Sequence, residues 1–464
     1  MKYFSLIPLL IFIFAVPICC TEQQNNPQAI DVKATIDGSA SFQRLDGIGV
    51  NVNTRSWNGR ELEPALDLFI DSLQINLWRV IVETVEKWEE QNDNNDPFVF
   101  NWDYYNKLYE TPKFQRVWDM MSYLNKRGVT GNLMINFMGI IPLWMGGEIV
   151  KPEYEDEYIE MLVSFFYYAK NTRHLQFGLI SPMNEPDIRK EGPTVGPEQY
   201  ARLLKKFISR MNDVGLNGIQ YAGPDVASMH TGIQKYLPEM IKEPVIMSNL
   251  AFWALHSYEG YYANADSAIK HSAYPQAKWQ VTEWNEWCNG CDDGKLGNYN
   301  YDYAASSLTR LLDLLSNGAN GTILWEGYDS YYEHHAPSPF SYWGVLEYNA
   351  ESKTYHPRKH FYTLSQFTRF ISPGSVRIGV NASAKELMIT AFRDERGQIA
   401  IIGLNPHDQD IVIDGSLKDI PGVKRLQYYY TNSAENLQRG ADIKAGKGFK
   451  AAIPANTIFT LKSY

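Results

Sequence analysis

The sequence predicts an α/β chain, a (β/α)8 TIM barrel with an attached antiparallel β-sandwich domain. Three observations lead there. The chain has 464 residues, too many for one minimal domain and suited to a large barrel with a smaller companion. Its middle alternates short apolar runs with amphipathic stretches, the pattern of βα units around a parallel sheet. After about Tyr355 the texture changes to short β-branched runs separated by turn residues.

Residues 1–20 read as a signal peptide. Lys2 precedes an apolar run from Leu6 to Ile18, broken by Pro8 and Pro17, which is shorter than the roughly 20 residues of a membrane span. Cys19 and Cys20 follow, then a polar stretch from Thr21 to Asn26. This resembles the leader of bacterial lipoproteins, in which a Cys becomes the lipidated first residue. Cys20 or Cys19 is the lipidation candidate, and Val16-Pro17-Ile18 departs from the small residues usual before it. The expected destination is the cell envelope or outer membrane of a bacterium, otherwise the periplasm or the medium.

Residues 21–28 form a linker and 29–42 a strand given to the sandwich, with a turn expected at Asp37-Gly38. The barrel spans 43–356. Its eight predicted strands are Leu45–Asn53, Ile75–Val82, Gly131–Phe137, Gln176–Pro182, Ile219–Gly223, Leu250–His256, Lys278–Trp284 and Gly321–Glu326. Helical patterns lie between them, such as Thr111–Arg127, Asp156–Asn171, Pro197–Val214 and Tyr301–Asn317. Gly128, Gly215 and Gly318 follow three of these, where a C-terminal cap wants a positive φ. The sandwich spans 357–464, with strands predicted at Val376–Val380, Leu387–Phe392, Ile399–Leu404, Asp410–Ile413, Arg425–Tyr430 and Ile458–Leu461.

The net charge of −10 argues against nucleic acid and anionic membrane surfaces, which call for basic patches. Membrane association is expected only through the lipid anchor, and the chain is expected to be a monomer. Beyond the leader only Cys288 and Cys291 remain, and no second Cys or His pair at zinc spacing accompanies them. In an exported protein the pair reads as a local disulfide rather than a metal site. No cofactor is called for.

In such a barrel the functional groups gather at the C-terminal ends of strands. Those ends carry Arg79 and Glu83, Asn136 followed by Trp144, Asn184-Glu185-Pro186, His256-Ser257-Tyr258, Thr282-Glu283-Trp284, and Trp325-Glu326. Glu185 closes the fourth strand and Glu283 the seventh, so they face each other across a small barrel. Two carboxyl groups so placed can flank one glycosidic bond, one protonated to assist the leaving oxygen and one ionised to attack the anomeric carbon.

Phe42-Gln43-Arg44-Leu45-Asp46-Gly47-Ile48-Gly49 at the start of the barrel, the Asn-Glu-Pro triplet and Val281-Thr282-Glu283 together resemble clan A retaining glycosidases. The likeness is greatest to glycoside hydrolase family 30, whose barrel carries a sandwich built from both chain ends. Pro357-Arg358-Lys359-His360-Phe361-Tyr362 and Phe370-Ile371-Ser372-Pro373-Gly374 mark the crossing into that sandwich. The resemblance implies Glu185 as acid/base, Glu283 as nucleophile and Asn184 as the contact to the sugar 2-hydroxyl. Arg79 and Tyr258 would hold the nucleophile, His256 would sit beside it, and Trp325 would form a platform for the sugar. Glu326, Trp144, Trp253 and Trp284 are further candidates for the cleft.

The expected function is an exported retaining β-glycosidase acting on a glycan or polysaccharide, with β-glucans such as β-1,6-glucan favoured. The alternative is a catalytically inactive glycan-binding lipoprotein on the same fold. A metal-dependent hydrolase is disfavoured, because no cluster of metal-ligand type stands out at the strand ends.

Overall fold

The computed structural model describes residues 29–83, 87–259, 262–332 and 338–464. The leader with Cys19 and Cys20 lies outside them. Eight parallel strands close into a barrel: Gly47–Asn53, Leu77–Val82, Leu133–Phe137, Leu179–Ser181, Gln220–Ser228, Leu250–Glu259, Trp279–Trp284 and Gly321–Leu324. Closure is made where Gly47 and Ile48 pair with Gly321 and Thr322. These strands bury both faces, their polar residues included.

The inside of the barrel is divided along its axis. Leu77, Met134, Ala222, Phe252, Ala254 and Ile323 form an apolar plug in its lower half. Above them, towards the strand C-termini, the inward positions are polar and buried: Asn51, Arg79, Asn136, Ser181, Asp225 and Thr282. A polar layer in so dry a place must be satisfied by its own members. That need fixes the floor of the site.

Helices pack outside. Pro112–Lys126, Pro197–Asp213 and Tyr301–Ser316 each end just before a glycine with positive φ: Gly128 at 85°, Gly215 at 83° and Gly318 at 105°. Glu155–Asn171 opens with Glu155, Asp156 and Glu157 and has Lys170 in its last turn, charges that suit the helix dipole.

The companion domain is one continuous curled sheet, a ten-stranded mixed sheet over its own core of Val32, Ile36, Ile401, Ile413, Phe459, Leu461 and neighbours. It is not purely antiparallel as the sequence suggested. Ile30–Arg44 pairs antiparallel with Val376–Ala382 on one side and parallel with Ile411–Lys418 on the other. That strand also runs through Asp37-Gly38 rather than turning there. A bulge takes up the extra residues between Asp37 and Ser41. Gly38 passes so near Ile411–Lys418's continuation that an added Cβ would lie 2.5 Å from the Asp419 carbonyl oxygen. Gly448–Ile453 is a further strand, paired with Ile411–Lys418.

The sheet and barrel share one core. Phe392, Ala400, Ile402, Leu404 and Ile458 from the sheet pack in the same cluster as Leu308, Leu311 and Leu315 of helix Tyr301–Ser316 and Phe361 and Leu364 of helix Lys359–Thr368. Among the described residues no helix is long and apolar enough to cross a membrane.

Candidate active site

The polar layer of the barrel is organised around Arg79 and Asp225, both fully buried. Arg79 spends its two terminal nitrogens on four oxygens. Nη1 donates to Asn51 Oδ1 at 2.8 Å and Glu283 Oε1 at 2.6 Å, and Nη2 donates to Asn184 Oδ1 at 2.6 Å and Asp225 Oδ2 at 2.8 Å. Asp225 Oδ2 also accepts from Asn136 Nδ2 at 3.0 Å and Ser181 Oγ at 2.7 Å. Its Oδ1 accepts from Thr282 Oγ1 and lies 3.1 Å from His256 Nε2. Burial alone would raise this carboxyl, but Arg79, His256 and Thr282 hold it well below the usual carboxylate range.

Glu185 and Glu283 meet above this floor, both nearly fully buried. The peptide carrying Glu185 is held from two sides: Asn184 N donates to the Phe137 carbonyl and Glu185 N to the Asp225 carbonyl, each at 2.9 Å. Glu185 takes φ of 39°, a left-handed conformation that costs a non-glycine residue about 1–2 kcal/mol. Gly192 closes over the same turn, where an added Cβ would fall 2.0 Å from the Asn184 carbonyl oxygen.

The two carboxylates have different neighbours. Glu283 accepts from Arg79 and, through Oε2, from the Tyr258 hydroxyl at 3.0 Å. Glu185 Oε1 lies 2.6 Å from His256 Nδ1, which is itself 3.5 Å from Glu283 Oε2. Burial pushes Glu185 up to about 8, against the lowering effect of His256 and with the Glu283 charge adding to the rise. Burial also opposes the charge on His256, yet Glu283, Asp225 and Glu185 outweigh it and push the imidazole up to about 10.

One ligand atom from each of Glu185, His256 and Glu283 lies within 4.8 Å of the others, close enough for a cation. Both ring nitrogens of His256 already face carboxylates, however. The trio therefore shares protons rather than offering free ligand positions. A second acidic group with the same spacing, Glu89, Asp93 and Glu157, lies elsewhere.

An open pocket of about 310 Å³ stands over the carboxylates, near the lower end of small-molecule sites. Glu185, Glu283, Tyr258 and Trp325 line it, together with Asn285, Trp287, Asp292 and Trp343. Arg79 and His256 lie beneath, bonded to the lining Glu283 and Glu185, and Asn184 is bonded to Arg79. The Asn184 oxygen is taken by Arg79, and its amide nitrogen is buried with no partner among the described residues. The remaining candidates from the sequence are not brought to the pocket. Trp144 packs against Tyr154 and donates to the Glu89 carbonyl at 2.6 Å. Trp253 and Trp284 are core residues. Glu326 turns away to accept from Ser330, Tyr332 and Ser341.

Sequence reasoning missed Asp225 and the loop after the seventh strand. Trp287 on that loop is 70% exposed at the pocket, and its ring centroid lies 6.0 Å from that of Trp343. Trp343 Nε1 donates to Asp292. Cys288 and Cys291, between Trp287 and Asp292, are joined by a disulfide. The alternation of Trp, Cys and Asp was visible, but nothing in the sequence placed it over the barrel mouth.

Residues 374–461 match the glycosyl hydrolase family 30 beta sandwich domain. With this family 30 sheet, the whole chain has a glycoside hydrolase family 30-like fold. A family 30 subfamily 8 xylanase from Clostridium acetobutylicum superposes with a TM-score of 0.68 at 16% identity, covering 93% of this chain and 100% of its own. A conserved exported protein from Bacteroides fragilis gives 0.70 at 15% identity over 92% and 99%. An endo-beta1,6-glucanase gives 0.66 at 15% over 93% and 93%. Identities this low establish a shared fold.

Proposed function

We propose that this chain is an exported retaining β-glycosidase that cleaves a glycan or polysaccharide by double displacement. The observation that carries the reading is the glutamate pair, whose nearest oxygens lie within 4.8 Å while their surroundings differ. An inverting pair must hold a water between carboxyl groups about 6.5–9.5 Å apart. The family 30 sheet domain and fold support the same class of chemistry.

In this mechanism Glu185 starts protonated, as its raised pKa favours, and gives its proton to the leaving oxygen. Glu283 attacks the anomeric carbon from the opposite face and forms a glycosyl ester. Water then attacks that carbon as Glu185 withdraws its proton, releasing Glu283 and a sugar of retained configuration. With Glu185 neutral, the cations Arg79 and His256 face the anions Asp225 and Glu283, so the buried cluster is balanced before the reaction. The free amide N–H of Asn184 would donate to the sugar 2-hydroxyl, and Trp325 and Trp287 would offer ring faces to the substrate.

We favour a β-glucan such as β-1,6-glucan, met at the cell envelope by a lipid-anchored protein. The test is hydrolysis of a panel holding β-1,6-glucan, xylan, β-1,6-galactan and aryl β-glycosides. Release of β-anomeric sugar from β-1,6-glucan, lost in Glu283→Gly, is the expected result. Xylan cleavage alone would replace the substrate and keep the mechanism. Binding of a glycan with no hydrolysis by the wild type would end the enzymatic reading.

A further inference from the structure

A second acidic cluster lies outside the catalytic one, where the loop following the second barrel strand meets helix Glu155–Asn171. Glu89 and Glu160 are fully buried, Glu157 is 9% exposed and Asp93 is half-buried. Glu157 and Glu160 stand three residues apart, on one face of the helix. One oxygen from each of Glu89, Asp93 and Glu157 lies within 4.8 Å of the other two.

Part of the cluster is held in place. Glu89 Oε2 accepts from the Tyr105 hydroxyl at 3.0 Å and Oε1 from Asp93 N at 3.3 Å. Asp93 Oδ2 accepts from Asn101 N and Asn94 Nδ2, each at 3.2 Å. The remainder is unsatisfied: among the described residues Asp93 Oδ1, Glu157 Oε2 and both oxygens of Glu160 have no hydrogen-bond partner. Among the described residues none of the four carboxylates has an ion pair with Lys, Arg or His. The nearby Arg210 gives Nη2 to the Phe98 carbonyl and lies over the Phe98 and Phe100 rings.

Buried, unpaired carboxylates are among the least tolerable groups in a protein interior. The donors are all oxygens, with no thiolate or imidazole, which selects a hard cation. Carboxylates able to bind through one oxygen or two, on a loop reading Asn92-Asp93-Asn94-Asn95-Asp96, suit the six to eight oxygens of calcium better than the strict octahedron of magnesium.

We propose that Glu89, Asp93 and Glu157, with Glu160 behind them, form a structural site for a calcium-sized divalent cation. The ion clamps the loop after the second barrel strand onto helix Glu155–Asn171. Through Trp144, whose Nε1 holds the Glu89 carbonyl, the clamp also reaches the loop after the third strand. The site is independent of the glycosidase reading.

The experiment is equilibrium dialysis of the EDTA-treated full chain against calcium chloride, with metal analysis and thermal unfolding. One calcium per chain is expected, with the midpoint raised by about 5 °C at saturating calcium and little changed by magnesium at the same concentration. E89Q/E157Q should lose the bound calcium and the thermal shift. Without metal it should unfold no lower than the stripped wild type, because two buried charges are gone. Glu160→Gln should fold equally well and bind calcium at least tenfold more weakly. No calcium bound at millimolar concentration, equal stabilisation by magnesium, or full calcium binding by E89Q/E157Q would each overturn the site.

Discussion

Asp225 takes hydrogen bonds from Arg79, Asn136, Ser181, His256 and Thr282 with two oxygens, and so joins the floor of the barrel to both glutamates. Removing one partner of a buried ion pair leaves the other charge uncompensated, a loss of about 3–5 kcal/mol. Asp225→Ala should therefore lower the urea unfolding free energy by about that amount, and a loss under about 1 kcal/mol would show that Arg79 re-pairs freely. Asp225 was not legible in the sequence for a local reason. The apolar run of the fifth strand ends at Gly223, whereas the strand continues through Pro224 to Ser228 and delivers Asp225 inward. Glu185 and Glu283 were legible because one follows the fourth strand and the other lies at the end of the seventh, each with a polar residue beside it. Glu185 also sets the pH response. Its carboxyl is raised to about 8, so the acid form dominates below that value and is lost above it. Hydrolysis of a substrate with a poor leaving group should fall about tenfold per pH unit above pH 8. For Glu185→Gln on a dinitrophenyl glycoside this alkaline limb should vanish, and a limb that persisted would assign it to another group.

At the level of elements, the helices were the easiest part to read. Periodic apolar residues followed by Gly128, Gly215 and Gly318 located three ends to within about a residue, since a positive φ is what stops each helix. Gly448–Ile453 was missed because its buried side is Phe449, Ala451 and Ile453 while Lys450 and Ala452 face out. Two alanines and a glycine carry little β-propensity, and the strand is held by its pairing with Ile411–Lys418. Loops were the least legible, since their place depends on the barrel beneath them. The loop after the seventh strand carries Trp287, Cys288, Cys291 and Asp292, and the disulfide restricts the positions its exposed indole can take. Trp287→Ala should raise KM on a polysaccharide about tenfold, the value of one lost ring face near 1.4 kcal/mol. The kcat on a small aryl glycoside should change little, because the reacting carboxylates are untouched. A fall in kcat with KM unchanged would instead place Trp287 in the transition state.

For the whole molecule, the two chain ends meet in one sheet and that sheet shares a core with the barrel. Ile30–Arg44 lies inside the ten-stranded sheet, between Val376–Ala382 and Ile411–Lys418, so the residues entering the barrel also complete that sheet. Gln43 on this strand reaches the Ala319 carbonyl at 3.2 Å, and Gln366 of the last barrel helix donates to Thr431 at 3.0 Å. Such shared burial leaves neither part a closed apolar surface of its own. Heat should therefore unfold barrel and sheet in a single calorimetric transition. Two resolved transitions would mean that the common core adds little. A chain starting at Leu45 would strip both neighbouring strands of their partner and expose Ile378, Ile411 and Ile413 beside open edges. It should be recovered as aggregate, and adding back a peptide of residues 29–44 should restore soluble protein if the strand's absence is the cause. Soluble, fully active protein without that segment would show that the barrel stands without the sheet being complete.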